Sequence, residues 1–356
     1  MLPEGTAAVG IGLLINGIAT YGFVIAARRG LGEDKYSAVA TLWAIVFILG
    51  PGFFQPLEQE VSRITADRAS RGEGIGPVFR RAAMLGGAIF TLLTVLLLAS
   101  GSILTREFFD GQWLLLIGLI LTMGSFGAGE LLRGLLSGSH RFAAYATYFG
   151  LEGLVRFIAA IGLGLASVEV AGPYGLVVAL GPAVAVVVAG RGQRDLLRPG
   201  AGLEWRELTP ALGFLLAASL FEAFLLNAGV AAVRLLTGEG EDDAAGRFLN
   251  GLLMARVPLF FFQAVKASLL PNLARLAGVG NWDEFRATLV RLLTFVAAIG
   301  SAGIVGAYLL GPFVVETAFG DEIGRSDMAL LALSSALFMG ALSLALTLIA
   351  VGAQAK

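Results

Sequence analysis

Ten long apolar stretches, separated by short loops whose positive charge alternates from one loop to the next, constrain this chain more than any other feature. Residues 5–27, 37–57, 82–105, 170–190, 292–315 and 328–355 each run at least 21 residues without Asp, Glu, Lys or Arg. Four more (113–136, 143–166, 211–236 and 248–271) are as long but carry charges of their own. About 20 apolar residues in a helix cross the ~30 Å hydrocarbon core of a bilayer. A soluble helix keeps a polar face and interrupts such a run within a few turns. The chain therefore reads as an all-α polytopic membrane protein with about ten spans, numbered here in sequence order. A hydrophobic content of 57% and a mean hydropathy of +0.82 fit no soluble class.

Loop charge sets the expected orientation. Loops 58–81, 137–142, 191–210 and 272–291 hold 13 Lys and Arg, and the five loops between them hold 6. Positive loops stay inside, which places the first set and the N-terminus in the cytoplasm and the acidic loop 237–247 outside. The first span is too long, and its MLPEG flank too poor in basic residues, for a cleaved signal peptide. With no cysteine and a single histidine, His140, thiolate sites, His clusters and a Ser/His/Asp triad are excluded. No cofactor, metal or nucleic acid is expected. The basic and apolar residues of 58–81 and 191–210 alternate as in short helices lying on the inner membrane surface.

A weak internal repeat sets the domain organisation. GPGFFQPLEQEVSRITADRASRG (50–72) resembles VPLFFFQAVKASLLPNLARLAGVG (257–280), and FFQ recurs at an offset of 208 residues. Both copies run from outside to inside, so the repeats are parallel, related by a two-fold axis along the membrane normal. The expected architecture is two pseudo-two-fold-related helix bundles of six spans each. The first is a six-helix lobe over 1–190, followed by a cytoplasmic inter-lobe linker over 191–210. The second lobe, 211–356, has four helices, so a full 6 + 6 arrangement is expected to lack its last two.

The G-x-x-x-Y loop after span 1 (GEDKY, 32–36), the basic loop after span 2 and the P…LLPNL segment of span 8 stand in this order and spacing. In these features the chain resembles the MOP flippase superfamily. Its polysaccharide (O-antigen-type) branch is the nearest in pattern, with similarity to the lipid II flippases. The resemblance implies alternating access between two lobes and a lipid-linked anionic saccharide as cargo. It further implies a coupling ion, H+ or Na+, a bacterial plasma membrane location and a monomer.

Ionisable groups near the bilayer centre usually face a cavity or each other, because they cost several kcal/mol to insert alone. Glu152 with Arg156, and Glu130 with Arg133, are spaced to pair along their own helices. Arg234 stands near the outer end of span 7, where it can snorkel. Arg256 has no acid three or four positions away and lies about 12 Å into span 8, while Glu222 lies about 16 Å into span 7. An arginine facing a wet cleft suits a diphosphate, because its planar fork meets phosphate oxygens in pairs. The lipid II flippases carry an arginine shortly before the span 8 proline, which the resemblance matches to Arg256 before Pro258. Where they carry further arginines, in spans 1 and 2, this chain has Asn16 and Gln55. The expected substrate-binding set is Arg256, Glu222, Gln263, Asn227, Arg156, Glu152, Asn16 and Gln55. The 208-residue offset maps Glu58 onto Lys266, an expected inner gate. Pro51, Pro56 and Pro258 are expected kinks.

The 20-residue cytoplasmic loops hold no nucleotide-binding motif, so energy comes from a gradient, the membrane potential or product removal. The preferred function is a non-enzymatic flippase for a polyprenyl-diphosphate-linked saccharide in envelope or surface polysaccharide synthesis. A cation-coupled multidrug antiporter of the same superfamily is the first alternative. An integral membrane enzyme acting on lipid-linked sugars is the second.

Overall fold

A computed structural model of the chain describes residues 6–205, 212–236, 243–259, 262, 276 and 280–352. Among the described residues the regular structure is entirely helical. In chain order the helices are α1 (Thr6–Leu31), α2 (Glu33–Ser70), α3 (Gly76–Ala99), α4 (Gly101–Phe108), α5 (Trp113–Gly138), α6 (Phe142–Leu165) and α7 (Ala171–Gly190). A 3-10 turn at Arg194–Leu197 follows, then α8 (Leu212–Leu236), α9 (Ala244–Ala255), α10 (Trp282–Phe319) and α11 (Arg325–Gly352). Nine of the described helices are long and apolar enough to cross a membrane, and each overlaps a stretch expected from the sequence. Of span 8, α9 covers the first part.

The loop after span 2 differs from the sequence reading. Instead of a separate surface helix, α2 continues unbroken for 38 residues, roughly 57 Å at 1.5 Å per residue. The extension is held by packing: Leu57, Val61 and Ile64 join Ile75, Val78, Ala82, Leu131, Leu135 and Leu203 in one buried cluster. Segment 191–205 likewise makes a single 3-10 turn, and its backbone carbonyls serve as acceptors. Arg68 donates to the carbonyls of Ala201 at 2.6 Å and Gly202 at 3.1 Å, and Gly76 N–H donates to Arg198 O at 2.9 Å.

The described chain forms two compact units, Met1–Gly246 and Arg247–Lys356. In the first, α1 lies along α6, α2 along both α5 and α8, and α7 along α5 and α6. Lipid tails are as apolar as leucine, so helices in a membrane associate through close packing of small residues. A Cβ on Gly134 of α5 would stand 2.8 Å from the Glu58 carbonyl oxygen of α2, and one on Gly118 would stand 2.8 Å from the backbone of Gly175. Gly12 is equally tight against Ala146, at 2.5 Å. α3 turns Leu92, Val95, Leu96 and Leu98 outward, as a lipid-facing helix must. The loops at the two ends of the helices pair separately. Arg141 pairs with Asp195 at 2.5 Å on one side, and Lys35 with Glu169 at 3.5 Å and Arg234 with Asp110 on the other.

In the second unit α10 and α11 pack as an antiparallel pair, with Gly300 against Ala336 and Gly311 against Met328. Asn250 of α9 donates to Asp321 at 2.6 Å, both fully buried. Asn281 caps α10 by accepting from Glu284 N–H, and Gly320, at φ 78°, ends it in the left-handed conformation.

Replacing Gly134 with Val should destabilise the protein by about 1–3 kcal/mol, because a backbone oxygen cannot give way as a side chain can. Gly87→Ala, where nothing lies within 4 Å, should leave the melting temperature unchanged or higher. Thermal melting of the two purified variants in detergent checks this.

Candidate functional site

The charges of the first unit gather in two clusters. At the α5 end facing the basic loops, Arg133 is 9% exposed and holds two carboxyl groups. Its Nε and Nη2 donate to Glu58 Oε2 at 3.1 and 2.5 Å, and Nη2 also contacts Glu130. Tyr145 of α6 donates its hydroxyl to the other oxygen of Glu58 at 3.0 Å. The rings of Phe149, Tyr148 and Phe126 surround the guanidinium, with centroids 4.9, 5.6 and 5.9 Å away. Aromatic faces stabilise a cation that water does not reach. The local Glu130–Arg133 pair forms as its spacing requires. Sequence reading missed that Glu58, 75 residues away, completes a three-helix cluster. The available signal was depth, since both residues lie late in spans that run the same way.

The second cluster is deeper. Arg156 donates to Glu152 at 2.7 Å, one helical turn away, and stacks over Trp43, whose centroid is 5.3 Å distant. Trp43 in turn stacks on Phe23 at 5.2 Å and meets Phe47 in a tilted pair at 4.8 Å. The pair is 5% and 3% exposed, and Gly181 of α7 closes over it so tightly that a Cβ would lie 2.5 Å from Glu152 O. Asn16 of α1 faces Gly153 of α6, and its Oδ1 is buried without a hydrogen-bond partner. Glu152 and Arg156 are thus brought together as a buried pair, with Asn16 against the residue next to Glu152. Gln55 is half-buried on α2.

Asn227 has a structural task that the sequence did not disclose. Pro51 has no N–H, so the Phe47 carbonyl four residues earlier loses its helical partner. Asn227 of α8 donates to that carbonyl at 3.3 Å and to its own Ala223 carbonyl at 3.0 Å. α8 also packs its Leu220 onto Gly52, so the proline-containing part of α2 is lined by one neighbour. α8 lies in the first compact unit. Glu222, one position before Ala223, is half-buried and has no partner among the described residues. Arg234 does more than snorkel: it pairs with Asp110.

In the second unit Arg256 occupies a one-residue turn between α9 and the helical Val257–Leu259 segment, where its N–H is shared between Leu252 O and Leu253 O. Pro258 touches the Gly303 position of α10. The expected site residues Gln263 and Lys266 lie outside the described residues.

No family model matches the sequence. Uncharacterised proteins of Mycobacterium bovis and Mycobacterium tuberculosis are 25% identical, with 96% of this chain aligned to 78% of each relative. Among solved structures, a multidrug resistance MATE family transporter of the MOP superfamily in an inward-facing conformation superposes with a TM-score of 0.70. That match is 14% identical and covers 98% of this chain and 85% of the other. The chain has the fold of the MOP-superfamily transporters. The lipid II flippase MurJ, inward closed, gives a TM-score of 0.62 at 11% identity, covering 98% of this chain and 76% of that one. The Vibrio cholerae MATE transporter VcmN, in its bent form, gives 0.57 at 15%, covering 98% and 82%. Within this MOP fold, α1 has no acidic residue from Thr6 to Leu31, and its polar side chain at mid-span is Asn16.

If Asn227 makes up for the missing N–H of Pro51, the two positions are coupled. Asn227→Ala should cost about 0.5–1.5 kcal/mol. In a Pro51→Ala background, where Phe47 O regains its helical donor, that cost should shrink toward zero. A double-mutant cycle by thermal unfolding measures the coupling. Simple additivity would mean the bond does not repair the helix.

Proposed function

We propose that the protein flips a polyprenyl-diphosphate-linked saccharide across the bacterial plasma membrane by alternating access, for a surface or envelope polymer. In this reading residues 1–190 and 211–356 form the two lobes, 191–210 link them, and the N-terminus is cytoplasmic. The MOP fold supports the transport mechanism but does not choose a substrate, since one fold hosts many sites. The observation favouring an anionic lipid-linked cargo is Arg256. It is a mid-span arginine at a break in helical structure, just before a proline. Interrupted helices are where transporters build their binding sites. A guanidinium there can meet a diphosphate with paired, charge-assisted hydrogen bonds. Glu222, Gln263, Asn16, Gln55, Glu152, Arg156 and Asn227 are the further polar groups proposed to contact the substrate.

The antiporter reading draws on the MATE neighbours. It calls for a cation site, and α1 offers no carboxylate to make one. The proposed inner gate of Glu58 with Lys266 calls for Glu58 to leave Arg133 and Tyr145.

Proteoliposomes loaded with either a fluorescent lipid-linked diphospho-saccharide or a cationic dye distinguish the two functions. We expect flipping of the first and no uptake of the second. Arg256→Ala should lower flipping at least about tenfold, the effect of losing one charge-assisted hydrogen bond of roughly 1.5–3 kcal/mol. Arg256→Lys should recover little, because a point charge lacks the paired donors. Unchanged flipping by the alanine variant, at equal protein abundance, overturns the assignment.

A further inference from the structure

The cluster around Arg133 has one positive charge and two carboxyl groups. Glu58 reaches it from α2, Glu130 and Arg133 belong to α5, and Tyr145 and Tyr148 face it from α6. The next charged group on α6, Glu152, is already taken by Arg156. Among the described residues, Arg133 is therefore the one cation in contact with both carboxyls. Glu130 is 1% exposed.

Both carboxyl groups contact the same guanidinium nitrogen, Nη2 of Arg133. Two ionised carboxylates only accept, so they cannot bond to each other without a proton on one. Two like charges sharing one buried site resist being ionised together. The donors are unevenly divided. Glu58 receives Arg133 on one oxygen and Tyr145 on the other, as a carboxylate should. Glu130 touches the same guanidinium nitrogen off its hydrogen-bonding direction, and its Oε2 is buried without a hydrogen-bond partner. We propose that Glu58 and Glu130 form a proton-binding site, one proton shared between them and carried mainly by Glu130, which clamps the inner half of α2 to α5 and α6.

With the proton in place the cluster is neutral, one carboxylate against one guanidinium. Without it a net negative charge remains where water is scarce. Glu58, whose side chain is 15% exposed against 1% for Glu130, is the member that can move out to water. Its helix can follow, because Pro51 and Pro56 have already removed hydrogen bonds directly before it. Occupancy of the site by a proton thus governs how firmly the inner end of α2 is attached. The proposal does not depend on the transported substrate.

The test uses the purified full-length protein without substrate, so its failure would leave the flippase reading standing. Infrared difference spectra across a pH titration should show a protonated carboxyl C=O stretch that disappears as pH rises. Glu130→Gln should abolish that band. Glu58→Gln should abolish it too, because the single remaining carboxyl then ionises against Arg133. Between them the two variants keep the test open if one fails to fold. Raising the pH through the band's titration should lower the wild-type melting temperature more than that of Glu130→Gln. The sign follows from a proton held by the folded state and not by the unfolded chain at that pH. A wild-type protein without the band, or a band that survives in either folded glutamine variant, overturns the proposal.

Discussion

The hydrocarbon core of a bilayer offers no partner to a carbonyl, a carboxylate or a guanidinium, and the rest of this structure depends on that constraint. A polar group placed inside is costly unless another part of the same protein matches it. The helices satisfy their own backbones, and one gap left by a proline is repaired from a neighbour. Pro51 leaves the Phe47 carbonyl without a donor, and Asn227 supplies one from α8. Arg156 takes Glu152 and the face of Trp43, while Arg133 takes two carboxyls and three aromatic rings. Because lipid gives helices no hydrophobic reason to associate, the contacts that carry these repairs rest on glycines such as Gly118 and Gly134.

α2 is where these demands converge. It carries both prolines, stacks Trp43 on the α1 ring Phe23, and packs Gly52 against Leu220 of α8. Glu58 then ties it to α5 and α6. Its C-terminal third is an extension of a membrane span, held by the apolar cluster it forms with α3, α5 and Leu203. A helix weakened by proline above and clamped by a charge cluster below can bend without unfolding. Conformational change in such a fold is a choice between packed arrangements whose populations follow their free-energy difference.

The match to solved transporters establishes the MOP fold and stops there. The MATE and lipid II proteins with this fold carry unlike cargoes, so the substrate must be argued from side chains. In the first unit the buried charges of α5 and α6 are already engaged with one another.

Hydropathy by itself determined the helical class and the positions of the spans, because a bilayer imposes a length on each segment alone. The i,i+3 and i,i+4 pairs Glu130–Arg133 and Glu152–Arg156 were equally legible, being set by one helix's geometry. Tertiary structure decided the rest. That Glu58 joins Arg133, and that Asn227 serves Phe47, depends on which helix lies beside which and at what depth. The continuation of α2 through residue 70 depends on an apolar cluster drawn from four separate segments. No periodicity within one segment encodes such contacts, because the energy that fixes them appears only once the helices have met.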